Sequence, residues 1–169
     1  MTTTDYFLAT PAELTKACRG WVPPGSPPNE NAATHAEYFE LPWADLKSID
    51  QVVLEPLAAI VLGVNEDAVG NDVAPSLKGP SDCEQYLVVL FGRLVRALAD
   101  LSDDQLPGIV TEWLVPLRTD TSSIQVATIR DLMLSALTKE NYLPVLITLR
   151  KLARQATESA RGMYMLMAP

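Results

Sequence analysis

The sequence predicts an α+β fold, predominantly helical, with five or six helices and a small two- or three-stranded sheet formed near the N- and C-termini. Three observations carry that expectation. A Ser/Thr-x-x-Glu/Gln box stands at Thr10, Ser48, Ser81 and Ser102, and such a box satisfies orphan amides at a helix start from both of its side chains. Apolar residues recur at helical spacing through much of the second half. Two short aromatic or apolar runs, Tyr6 to Ala9 and Met163 to Met167, lie where they could pair and join the termini. With 169 residues, 48% of them hydrophobic and 20% charged, the chain can form a single domain, residues 1–169, with its own core.

Taken in order, Tyr6 to Ala9 reads as a strand and residues 11–19 as a short helix, capped by Thr10 and Glu13, with Pro11 at its first position and Gly20 as its stop. Residues 21–36 form a proline-rich loop carrying Pro23, Pro24, Pro27 and Pro28. Its length suits either disorder or binding. Glu37 to Leu41 alternates loosely before Pro42 and suggests a short edge strand. Pro56 sits too close to Ser48 for a helix begun there, so a turn at 49–52 is expected, with a helix from Val53 to the stop at Gly63. Residues 64–80, with Gly70, Pro75, Gly79 and Pro80, read as an irregular loop.

The Ser81 box then precedes the longest apolar segment, Tyr86 to Leu101, which predicts a helix apolar on nearly every side and therefore central. The Ser102 box opens an amphipathic helix with Leu106, Ile109, Val110, Trp113, Leu114 and Leu117 on one face, ending at Pro116. A weaker box at Ser122 precedes a helix with a narrower apolar face at Val126, Ile129, Met133, Ala136 and Leu137. The last helix is expected to start near Tyr142 to Pro144 and to bury Leu146, Leu149, Leu152, Ala153, Ala156 and Ala160, with a stop at Gly162 before the terminal strand.

Catalytic signatures are scarce. His35 is the one histidine, so a two-histidine zinc site cannot form within one chain. The eight glycines do not fall into phosphate-binding spacing. Residues 65–72 offer oxygen ligands without the alternation of a calcium loop. No metal and no cofactor is expected. Cys18 and Cys83 show no CxxC spacing and no secretory leader precedes them, which makes a reducing cytoplasm the expected compartment. Both read as ordinary buried thiols, although Cys83 stands close to an expected helix start. Arg150, Lys151, Arg154 and Arg161 form a basic ridge that reads as a solvated helix face.

Charge and aromatics suggest a binding role. The net charge is -8, and residues 29–84 hold eleven acidic residues against Lys47 and Lys78. That balance argues against nucleic acid as a direct partner, and no apolar run is long enough to span a bilayer. Aromatic anchors within a charged rim are how interfaces concentrate binding energy. On that ground Trp21, Glu37, Tyr38, Phe39, Glu40, Trp43 and Asp45 are the candidate partner-binding residues. The expected function is that of a non-catalytic protein with an acidic, aromatic surface for a more basic protein partner, as in an immunity-type or adaptor protein. The alternative is a small-molecule binder or small enzyme with a pocket between the helices and residues 21–45, using Cys83, His35, Asp45 or Glu40. Self-association through exposed apolar helix faces is a third expectation.

Overall fold

The computed structural model describes residues 3–27, 29–46, 49–80, 85–121 and 127–168. It corrects the small terminal sheet to five antiparallel strands, and with six helices among the described residues the class is mixed α+β. The elements run β1 (Thr3–Ala9), α1 (Pro11–Ala17), β2 (Trp43–Asp45), α2 (Gln51–Leu62), β3 (Val73–Lys78), β4 (Tyr86–Leu90), α3 (Gly92–Ala99), α4 (Leu106–Thr121), α5 (Ala127–Ala136), α6 (Lys139–Ser159) and β5 (Gly162–Ala168). In space the strands order as β2-β1-β5-β4-β3. The two chain ends therefore meet in the middle of the sheet, with Thr3 opposite Ala168 and Ala9 opposite Gly162.

Strand alternation divides the side chains between two covers. Tyr6, Leu8, Val88, Leu90, Met163 and Met165 face a core completed by α2, α3, α4 and α6. Phe7, Ala9, Leu87 and Leu166 face the other way, where α1 and the proline-rich segment close over them with Ala17, Cys18, Trp21, Ala36 and Tyr38. Among the described residues of 21–36, Trp21 and Ala36 are buried in this layer, whereas residues 23–27 are exposed. The Trp21 indole donates to the Ala33 carbonyl at 2.8 Å, and Val22 bridges to Lys78 of β3.

Several expected elements change. The apolar run from Tyr86 is not one helix: it is strand β4, a break at Phe91, and the shorter α3. A strand buried on both faces is apolar at consecutive positions, so periodicity cannot separate it from a buried helix. Its partner β3 lies inside the expected loop of residues 64–80 and carries a register shift at Pro75. The expected edge strand at Glu37 to Leu41 is a turn, because the Leu41 amide bonds back to the Tyr38 carbonyl at 2.8 Å. Its place beside β1 is taken by β2.

Helix ends also move. Asp50 caps α2, its carboxylate accepting from the Val53 amide at 3.1 Å, and Gly63 stops it with a φ of 64°. α4 continues through Pro116, and α6 begins earlier than expected, at the Thr138 cap. α6 ends at Ala160 in the left-handed region, so Ala160 is exposed and Gly162 begins β5. The Ser48, Ser81 and Ser122 positions, with Val126 and Cys83, lie outside the described residues; Met133 and Ala136 of α5 are exposed, and Leu137 just after it is buried. Of the expected basic ridge, Lys151 and Arg154 are exposed and Arg150 is buried, and further partners engage Arg150 and Arg154. The two arginines donate to the Ala99 and Leu101 carbonyls that end α3, and Arg150 also reaches Asp103.

Candidate functional site

The strand register builds the site from its base. β1 and β2 pair Asp5 with Asp45, Tyr6 with Ala44 and Phe7 with Trp43, so Asp5, Phe7, Trp43 and Asp45 emerge on one face at the sheet margin. The turn at 38–41 lays Tyr38 onto that margin. Its ring stacks on Phe7 at 5.1 Å between centroids, and its hydroxyl donates to Asp5 Oδ2. Burial, the Asp5 bond, and the nearby Asp5 and Asp45 charges push the phenol well above its usual range, which keeps it a donor.

On this buried ring stand two exposed ones. Phe39 stacks on Tyr38 at 4.6 Å and meets Trp43 edge-on at 5.5 Å, yet 68% of Phe39 and 42% of Trp43 remain open to solvent. Beside them runs a groove of about 580 Å³ between α1 and residues 35–41, lined by Glu13, Lys16, His35, Glu37, Phe39 and Glu40 among others. No Lys or Arg occurs from Gly20 to Leu46, whereas Glu30, Glu37, Glu40 and Asp45 do.

Six of the seven expected site residues therefore gather in one region: Glu37, Tyr38, Phe39, Glu40, Trp43 and Asp45. Trp21 does not join them, for it is buried against Gly79 in the second cover. Asp5 and Phe7 were missed by sequence reasoning. Their part depends on cross-strand register, which a lone strand does not announce.

Three described groups that could do chemistry, Cys18, His35 and Glu13, are buried or engaged. Cys18 is buried, and burial pushes its thiol up to about 12. His35 meets Gln85 through Nδ1 at 3.2 Å. Glu13 is occupied, taking the Thr10 amide at 2.7 Å and the Arg161 guanidinium at 2.8 and 3.1 Å. The Arg161 bond, ahead of the Thr10 amide, draws the Glu13 carboxyl down to about 2. Among the described residues no group of three or more His, Cys, Asp or Glu side chains could hold a metal ion, and no helix is long and apolar enough to cross a membrane. Comparison with protein-family models, curated proteins and solved structures yields no match.

Proposed function

We propose that the chain is a non-catalytic binding protein that presents the acidic, aromatic surface of residues 37–45 to a more basic protein, as an immunity-type or adaptor protein would. One observation carries this reading: Phe39 and Trp43 are solvent-exposed while seated on the buried Tyr38–Phe7 stack. Rings held in this way lose little freedom on binding, and they are the residue types that dominate interface energetics. The surrounding carboxylates favour a cationic partner and speed its approach.

Affinity capture from the native host tests this, comparing wild type with a Phe39→Ala, Glu40→Lys double variant at low and high salt. A basic protein retained stoichiometrically by wild type, weakened by salt and lost with the variant, supports the proposal. Equal retention by both proteins, or no stoichiometric partner, refutes it. The groove beside Phe39 favours a second reading, a small cationic ligand, since its volume falls in the range of ligand clefts. A metabolite thermal-shift screen reads that directly, and a flat screen removes it.

A further inference from the structure

Between α2 and α4 lies another groove, of about 540 Å³, floored by Pro56, Ala59, Ile60 and Val64 on one side and by Val115 and Pro116 on the other. Each helix turns one face to it: Pro56 and Ile60 are four residues apart, and Glu112, Val115 and Pro116 are spaced by three and four. Val52 lies one turn before Pro56 on the same face, and Val52 and Val115 are 68% and 61% exposed. The apolar floor is therefore open to solvent. Its rim is acidic. Glu66 and Glu112 line the groove, and neither carboxylate has a partner among the described residues. No Lys or Arg occurs from Ser48 to Leu77 or from Ala97 to Leu117. The next cation along α4, Arg118, gives its guanidinium to the Leu137 carbonyl at 2.7 and 3.2 Å. In addition, α2 ends in the groove at Gly63 with no basic residue in its last turn, so no side chain of its own offsets the negative end of its dipole.

We propose that this groove receives an amphipathic, basic helix of a protein partner. Aliphatic side chains one turn apart on that helix fill the floor at Pro56, Ile60 and Val115, while its lysines or arginines flank Glu66, Glu112 and the carboxyl end of α2. A helix matches the shape. From Val52 to Ile60 the apolar stripe extends about 12 Å at the helical rise, long enough for anchors at i, i+4 and i+7. The walls are themselves helices, so they offer no edge on which an extended strand could continue a ladder. Charge decides between partners: with a net charge of -8 a second copy is repelled from an acidic rim, whereas a cationic helix is drawn to it. The site uses none of residues 37–45 and therefore stands or falls separately from the proposed function.

The test titrates the full chain with a capped, dye-labelled helical peptide that carries leucines at i, i+4 and i+7 among lysines. Binding is read by fluorescence anisotropy and by the methyl resonances of Ile60 and Val115. Two counterparts serve as controls, one with serine in place of leucine and one with glutamate in place of lysine. The leucine–lysine peptide should bind and shift both methyl resonances, and neither counterpart should compete with it. Val115→Lys, shown to be folded by circular dichroism, should weaken binding about tenfold, and so should Glu66→Gln combined with Glu112→Gln. Absence of binding, unchanged affinity in either variant, or equal binding of the glutamate peptide overturns the inference. Shifts confined to Phe39 and Trp43 also overturn it, and they would leave the proposed function standing. Sedimentation of the chain alone covers the remaining occupant: a dimer that Val115→Lys dissociates would mean that a second copy fills the groove, against the proposal.

Discussion

The Tyr38 hydroxyl ties the candidate site to the sheet, donating to Asp5 from beneath the exposed Phe39 and Trp43 rings. Tyr38→Phe keeps the ring stack and loses that bond, so a loss of about 1 to 3 kcal/mol is expected by urea denaturation, and an unchanged midpoint would contradict this account. Glu13 ties α1 to Arg161. Its carboxyl titrates near 2 in the folded chain against 4.5 ordinarily, so the unfolded chain binds more protons between those values. The stabilisation is fully present above about pH 4.5 and disappears as pH falls through about 2. In urea titrations across that window, the gap between wild type and Glu13→Gln should close as the medium is acidified.

At the scale of elements, several helix ends rest on side chains that lie far away in sequence. The Ala99 and Leu101 carbonyls at the end of α3 accept from Arg154 at 2.9 Å each. Arg154→Ala removes the donor to Ala99 and one of the two to Leu101, which keeps Arg150, and because Arg154 is exposed a loss of about 0.5 to 1.5 kcal/mol is expected by chemical denaturation. Inside α2, Pro56 has no amide to offer the Val52 carbonyl, and the neighbouring Val53 carbonyl accepts from the buried Trp113 indole at 2.8 Å. Trp113→Phe keeps most of the apolar volume and loses that bond, so a loss of about 1 to 3 kcal/mol is again expected. Ends with a local signal were legible: Thr10 with Glu13, and Gly63, act as their sequence context suggests. The Tyr86 to Ala99 stretch was not, because a run apolar at nearly every position contains no period to read. The site was legible in part for the same kind of reason. Glu37 to Asp45 lie close in sequence and announce themselves by composition, whereas Asp5 and Phe7 enter only through pairing, and the chemistry of Trp21 does not reveal which side of a cover it will face.

For the molecule as a whole, the decisive feature is the position of β5. It is the central strand, bonded along its length to β1 on one side and β4 on the other. Removing residues 162–169 should therefore abolish cooperative unfolding instead of trimming an end, and a truncated chain with a normal thermal transition would sink this view of the sheet. The same topology has a consequence during synthesis. While the ribosome works from the N-terminus, the β1–β2 pair and the β3–β4 pair can form, yet each retains an open inner edge facing the place where β5 belongs. Unpaired edges are where nascent chains aggregate. The interval of greatest risk lasts until Gly162–Ala168 clear the exit tunnel, when one strand joins the two half-sheets.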